Sequence, residues 1–268
     1  MRMPARRPDL AGRTILVTRA AADAEAWAER LRARGARAVV LPCIHSETLP
    51  DGGTAAALRT ALDGAGWLAL TSARGVYAVA ELVGLPAVAA VAVAAVGEAT
   101  AAAARAALGR VDLVAPGGTG ASLAAELARR IRAARHNGPS LQPAQAARSL
   151  QAEPSAPRVV AAGAEGARRD LEEALAPFGI TVQRFAVYRV VPASPREPRE
   201  ELAARGIDTI LLASPSAVTG LLARAVVPAG ARIITIGTTT SAAVRAAGLP
   251  VHGEAAGRSL EAMIEAIP

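Results

Sequence analysis

The sequence contains no lysine: all 30 of its basic residues are arginine. A Walker-type phosphate loop requires a lysine at a fixed place, so that route to nucleotide chemistry is excluded. The arginine bias, together with the excess of alanine, has the character of a GC-rich coding sequence. It weakens any reading of the basic balance, and a net charge of +7 suits nucleic acid, a membrane surface or an acidic small molecule alike. Cysteine is nearly absent. Cys43 stands alone and cannot form an internal disulfide, and His45, His136 and His252 lack the spacing of metal ligands. Trp, Tyr and Phe occur twice each, with none interleaved in a basic run. No helix-turn-helix, zinc-finger or RNA-recognition signature is present, so nucleic acid is not an expected partner. The apolar run from Leu85 to Val96 is too short to span a bilayer and contains Pro86; it reads as a buried strand, and no membrane partner is expected. The start of the chain lacks the apolar segment of a secretory signal, so residues 1–12 read as a disordered tail on a cytoplasmic protein. There is no Gly-x-Ser-x-Gly elbow and no nucleophile with a histidine partner, and Gly118-Thr119-Gly120 continues to Leu123 where a dinucleotide fingerprint requires Gly or Ala.

What is present is a chain of 268 residues, 52% hydrophobic and 20% charged, long enough for one large domain or two ordinary ones. Much of the apolar content is alanine, which buries little area per residue, so the core must rest on Val, Leu and Ile. Short aliphatic runs at 14–18, 36–41, 67–71, 91–96, 112–115, 158–161, 181–188, 209–213, 232–236 and 249–252 alternate with alanine-rich stretches of helical length. That alternation is the mark of an α/β chain with parallel strands and helical crossovers.

An internal repeat is visible. The run Trp67-Leu68-Ala69-Leu70-Thr71-Ser72, a helix, and Val93-Ala94-Ala95-Val96-Gly97 returns as Thr209-Ile210-Leu211-Leu212-Ala213-Ser214, a helix, and Ile233-Ile234-Thr235-Ile236-Gly237. A second pair, strand–helix–glycine–strand around Gly35 and around Gly179, matches in the same way. The order along the chain is a, b, a′, b′, and periodicity alone does not say which halves share a domain. The β-rich passages 39–48 and 182–191 sit where the chain would cross between domains in a swapped pairing, which favours a two-stranded hinge. Residues 136–157, rich in Pro, Gln and Ser, read as a flexible surface insertion.

The turns after the strands carry small hydroxyl residues and glycine: Thr71-Ser72-Ala73-Arg74-Gly75, Gly97-Glu98-Ala99-Thr100, Gly117-Gly118-Thr119-Gly120-Ala121-Ser122, Ser214-Pro215-Ser216 and Gly237-Thr238-Thr239-Thr240. Ligands of parallel α/β sheets bind at this edge, where helix N-termini offer unpaired N–H groups to anions. Ordinary helix capping accounts for the hydroxyls in any one turn. Five such turns in two repeated halves favour a carboxylate or phosphate ligand. Gly163-Ala164-Glu165-Gly166 forms a further tight turn able to contact an anion.

Taken together, Val17-Thr18-Arg19, Leu70-Thr71-Ser72-Ala73-Arg74-Gly75-Val76, Ala95-Val96-Gly97-Glu98-Ala99-Thr100-Ala101, Val187-Tyr188-Arg189, Ala213-Ser214-Pro215-Ser216 and Ile236-Gly237-Thr238-Thr239-Thr240 resemble, in order and spacing, the uroporphyrinogen-III synthases, over 13–267. Ala213 in place of a common Thr and Thr238 in place of a frequent Pro are departures. The resemblance implies two flavodoxin-like parallel-sheet domains: 13–42 with 190–268, and 48–182, joined by hinge strands 43–47 and 183–189. It also implies an acidic linear tetrapyrrole, hydroxymethylbilane, held in a cleft between them. The implied reaction is a cofactor-independent cyclisation with inversion of ring D and loss of water by a monomer, in tetrapyrrole biosynthesis. Tyr188 is the implied assisting acid. Arg19, the hydroxyl and glycine turns above and the Gly163–Gly166 turn are the implied substrate contacts. A transient contact with hydroxymethylbilane synthase, which supplies the unstable substrate, stays open. A different reading is a catalytically silent homologue acting as a hinged module that binds or senses an anion.

Overall fold

The structure, a computed structural model, describes residues 9–49, 52–136 and 158–268. In chain order these form β1 (Thr14–Val17), α1 (Ala21–Arg32), β2 (Arg37–Val40), β3 (Ile44–Thr48), α2 (Gly52–Leu62), β4 (Trp67–Leu70), α3 (Ala73–Val88), β5 (Ala92–Val96), α4 (Gly97–Leu108), β6 (Leu113–Ala115), α5 (Gly120–His136), β7 (Arg158–Ala164), α6 (Asp170–Leu175), β8 (Thr181–Pro192), β9 (Glu200–Glu201), β10 (Thr209–Leu212), α7 (Pro215–Arg224), β11 (Ala225–Val226), β12 (Arg232–Thr235), α8 (Thr238–Ala246), β13 (Gly253–Glu254) and α9 (Leu260–Glu265). Contacts divide the chain into two units: the residues up to Ser46 with Val190–Pro268, and Glu47–Arg189.

The first unit holds a five-stranded sheet in the order β13-β12-β10-β1-β2, with every neighbouring pair parallel. Counted from β1, this is the flavodoxin order 2-1-3-4-5. The second sheet runs β3-β8-β7-β4-β5-β6, parallel from β8 to β6. It reads as the same order once counting starts at β7 and wraps round to β4. The first repeat therefore shares a sheet with the last, while the two middle repeats share the other. β3 and β8 each run through one of the two places where the chain passes between units.

Central parallel strands are buried on both faces, and their side chains alternate between two cores. In the first unit Leu16, Ile210, Leu212 and Ile233 point into a cluster with Val218 and Leu221 of α7 and Val244 of α8. Ile15, Val17, Leu211 and Ile234 point the other way, toward Leu31 of α1 and Met263 of α9. In the second unit Leu68, Leu70 and Val93 join Leu58, Val76 and Val79 on one face, and Ala69, Ala94 and Val159 join Leu123, Leu127 and Leu171 on the other. Leucines and Ile15 are the largest fully buried side chains, and alanines such as Ala69, Ala94 and Ala161 share the cores with them.

Three expectations change. The run 85–96 is not one strand: Leu85–Val88 closes α3 after the backbone turns at Gly84 (φ 74°), and only Ala92–Val96 pairs in the sheet. The last strand lies at Gly253–Glu254 rather than 249–252, with His252 joined to Ile233 by its backbone N–H and its Nδ1. The tail ends earlier than residue 12, because Leu10 is buried against the first unit's core and donates its N–H to the Arg34 carbonyl. Residues 1–8, and the 136–157 insertion apart from His136, lie outside the described residues.

Candidate functional site

In the order 2-1-3-4-5 the direction of chain progression reverses between the first and third strands, and ligands of such sheets bind at the carboxyl ends beside that switch. The switch falls between β1 and β10 in the first unit and between β7 and β4 in the second. The sequence-selected residues divide into two rows along these edges. The second unit carries Gly163 in the last paired residues of β7, Thr71 and Ser72 after β4, Gly97 after β5, and Gly118, Thr119 and Ser122 after β6; a Cβ on Gly97 would lie 3.6 Å from the Gly118 Cα. The first unit carries Arg19 after β1, Ser214 and Ser216 after β10, and Gly237, Thr239 and Thr240 after β12.

At the switch of the second unit, Ser72 is the N-cap of α3. Its backbone is extended and its Oγ accepts the Gly75 N–H at 3.1 Å, the geometry expected for a capping serine. The same Oγ lies 3.1 Å from the phenol oxygen of Tyr188, which stands within β8, on the far side of β7 from β4, and not at the strand end expected from the sequence. Tyr188 is 8% exposed and belongs to the core cluster of Val76 and Val79, so its ring is fixed by packing. A bulge in β8 places it: Ala186 stands opposite Gly163, and Tyr188 opposite Ala164. The Tyr188 carbonyl accepts the Glu165 N–H at 2.8 Å, which ties the Gly163–Gly166 turn to the same spot. Gly75 brings α3 close to β7, since a Cβ there would sit 3.2 Å from the Ala162 carbonyl oxygen and 3.3 Å from Ser72 Oγ. Ala73 and Arg74 stand half-buried in the same first turn.

A pocket of about 250 Å³ opens beside this switch, lined by Thr71, Gly120, Ala167, Arg168, Asp170, Leu171 and Arg184. Gly163 leaves room between two donors: a Cβ on it would lie 3.5 Å from Thr71 Oγ1 and 3.8 Å from an Arg184 nitrogen. Arg184 makes a forked pair with Glu172. The hydrogen bond from Arg184 holds the Glu172 carboxyl below its usual range against the opposing effect of burial, and the same bond raises Arg184. With Asp170 on the wall and Glu172 neutralising Arg184, the pocket offers directed hydrogen bonds more than net positive charge. Sequence reading missed Arg184, Asp170 and Glu172, because nothing in their local context marks them; the partners are joined by the adjacency of α6 and β8.

In the first unit Thr18 is fully buried and donates to the Leu211 carbonyl at 2.7 Å, which locks β1 to β10 where they end. Arg19 pairs with Asp23 at 3.1 Å, lies over the Trp27 ring at 4.7 Å, and keeps its Nε buried without a partner among the described residues. Ser214 caps α7 by accepting the Ala217 N–H at 3.2 Å, repeating the Ser72 arrangement. Other hydroxyls are less available to a ligand than the sequence suggested. Thr100 and Thr240 are buried at 5% and 3% exposure, and Thr119 and Ser122 cap each other through reciprocal bonds to their backbone N–H groups. Gly237, Ser216 and Gly97 are half-buried, whereas Thr239, Gly118, Glu165 and Gly166 are exposed.

Cys43 is buried and its thiol is pushed up to about 12 by desolvation, so it holds its proton at neutral pH. Among the described residues no group of three His, Cys, Asp or Glu side chains gathers as metal ligands would, and no helix is long and apolar enough to cross a membrane.

Comparison with known proteins gives one consistent result. The family model for uroporphyrinogen-III synthase HemD matches residues 25–265. The uroporphyrinogen-III synthetase of Helicobacter pylori is 16% identical over 94% of this chain and 96% of its own, with a TM-score of 0.51, and it shares the fold. A mutant uroporphyrinogen III synthase of the extremely thermophilic bacterium Thermus thermophilus is 18% identical over 95% and 96% of the two chains, with a TM-score of 0.47. No curated protein matches the sequence. With the family model spanning most of the chain and the two-unit fold agreeing with it, this protein belongs to the uroporphyrinogen-III synthase family, enzymes of tetrapyrrole synthesis.

Proposed function

We propose that the protein is a hydro-lyase that closes hydroxymethylbilane into uroporphyrinogen III with inversion of ring D and release of one water. The match of the family model over residues 25–265 carries this reading. The chemistry needs little from side chains. The C–O bond of the terminal hydroxymethyl group breaks with its electron pair on oxygen, which takes up a proton and leaves as water. The resulting azafulvene end must then bond to the substituted α-carbon of ring D rather than to its free position; the older bond from that carbon to its bridging methylene breaks and re-forms at the free α-carbon, which loses its proton as the pyrrole ring recovers aromaticity. Uncatalysed closure gives the non-inverted isomer, so the protein's main task is to hold the chain in the inverting conformation.

Two sets of groups support that task. The helix N-termini along the two sheet edges present backbone N–H groups suited to the substrate's carboxylates, and a protein of net charge +7 favours the approach of such a polyanion. Tyr188 is the proposed proton donor to the departing hydroxyl: a phenol donates a hydrogen bond or proton while neutral, and its oxygen is held in place by Ser72. We further infer that the reaction runs in the cytoplasm without an added cofactor. Incubating the purified protein with freshly made hydroxymethylbilane, and separating the product isomers, tests the reading. Type III is expected in excess; only the spontaneous type I isomer from folded protein would overturn it.

A further inference from the structure

We propose that Ser72 is a positioning residue for the phenol of Tyr188, donating its hydroxyl proton to the phenol oxygen so that the phenol's own proton is aimed at the ligand. The inference rests on the reading of Tyr188 as the assisting acid.

The two oxygens are 3.1 Å apart, and either hydroxyl is able to donate to the other. If the phenol donated to serine, its proton would be spent within the protein and unavailable for chemistry. The environment favours the opposite direction. Ser72 Oγ already accepts the Gly75 N–H at 3.1 Å, and it sits at the positive end of the first part of α3, which runs from Ala73 to the kink at Gly84. Both effects draw electron density from the serine oxygen, making it a poorer second acceptor and its proton a better donor. The ring of Tyr188 is immobilised in the core, so rotation of the phenol O–H is its remaining freedom, and Ser72 is the group placed to set it. When the phenol gives up its proton, the negative charge left on its oxygen is met by the serine O–H, itself backed by the first turn of α3. The positive helix end thus reaches a developing phenolate through one hydroxyl, without any reorganisation at the moment of reaction. When the cyclised tetrapyrrole releases its proton, the phenolate recovers it and the cycle closes with water as the only by-product.

This assignment differs from a direct substrate contact, and kinetics separate the two. Ser72→Ala, Ser72→Thr, Tyr188→Phe, the double variant Ser72→Ala/Tyr188→Phe and the control Ser259→Ala are compared for turnover of hydroxymethylbilane to the type III isomer. Ser259 caps α9 in the same manner, accepting the Ala262 N–H at 3.1 Å, and is not among the residues assigned to the site. Ser72→Ala is expected to lower kcat about tenfold with KM nearly unchanged. Ser72→Thr, which caps and donates as serine does, restores most of that loss. The double variant is no slower than Tyr188→Phe, because without a phenol oxygen the serine has nothing to position. Ser259→Ala keeps wild-type kcat while losing a similar increment of melting temperature. Should Ser72→Ala fail to fold, Ser72→Gly carries the same comparison, since glycine is itself a tolerated N-cap. Independent, additive losses in the double variant, a rise in KM with kcat intact, or wild-type kcat in Tyr188→Phe would each overturn the proposal. Failure of the functional reading is recognised separately, by the absence of type III product from the wild-type protein.

Discussion

Ser72 and Ser214 occupy the same place in the repeat, each ending the turn after a buried strand and each capping the next helix by accepting the N–H three residues on. Their surroundings then diverge. Ser72 reaches a phenol, whereas both tyrosines of the chain lie in the second unit and β2, the counterpart of β8 in the first, reads Arg-Ala-Val-Val. The helices that these serines cap also approach the strands at different points. α3 comes close at Gly75, three residues from its cap, while α7 comes close at Gly220, where a Cβ would lie 1.7 Å from the Cys43 carbonyl oxygen. Duplication has supplied the same capped helix start twice; the serine–phenol contact is present once, and in the other copy the close glycine approach has moved to the segment between β2 and β3.

The largest expected effect breaks this comparison at its packing end. Gly220→Ala drives a methyl group into the Cys43 backbone, which also accepts the Ala193 N–H at 2.8 Å and has little room to move. A loss of about 3 kcal/mol or more is expected, seen as a fall in Tm of roughly 10 °C. Gly75→Ala meets its neighbours at 3.2–3.3 Å, and better helix propensity offsets part of the crowding, so its cost is under about 1 kcal/mol. Equal melting of the two variants would show that the close approaches are equivalent after all. Tyr188→Phe tests the chemical end. Turnover to type III is expected to fall by about tenfold to a hundredfold, with Tm shifted by only a few degrees because the ring stays in the core. Wild-type turnover would remove the chemical difference drawn between the two units.

Most strands were readable in the sequence because runs such as Thr209-Ile210-Leu211-Leu212 are aliphatic, short and bounded by turns. Where that signal is missing, reading failed. Gly253-Glu254 has no β character of its own and becomes a strand because Ile234 and Thr235 offer it a parallel partner. Leu85–Val88 is apolar without helical or strand periodicity, and its state is decided by Gly84 and by packing. The capping serines were readable for the same local reason as the strands. The contact of Ser72 with Tyr188 spans 116 positions and exists only because β7 lies between β4 and β8 in the sheet. The Arg184–Glu172 pair, likewise, depends on how α6 lies against β8. Residue types can nominate a site, but sheet order decides which of them meet.

The Arg184–Glu172 pair gives a smaller effect, again confined to the second unit. Because the Glu172 carboxyl titrates below its unfolded value, the folded protein gains stability from it at pH values above the unfolded carboxylate pKa of about 4.3, and loses that gain as pH falls through the lower folded value. Glu172→Gln is therefore expected to melt below wild type at pH 7, with the gap narrowing as pH falls below the unfolded carboxylate range. A gap that stays constant with pH would mean that the glutamine disturbs packing and that the ion pair contributes nothing that titrates.

The smallest effect sharpens the comparison where it began. Ser214→Ala removes the cap of α7 and should cost about 1 kcal/mol, close to what Ser72→Ala costs at α3, because each serine satisfies one N–H of its helix. Activity is where the two variants should part. The backbone N–H groups at the start of α7 remain after the hydroxyl is gone, so a carboxylate held there loses one donor among several, and KM should rise about twofold with kcat preserved. At Ser72 the loss should appear in kcat, since the missing donor serves a phenol and not a carboxylate. Thermal melts of the two variants, followed by saturation kinetics at a temperature where both are folded, separate these outcomes. If Ser214→Ala lowered kcat as much as Ser72→Ala does, the first unit would have to contribute to the chemical step directly, and the division of labour between the two copies would be lost.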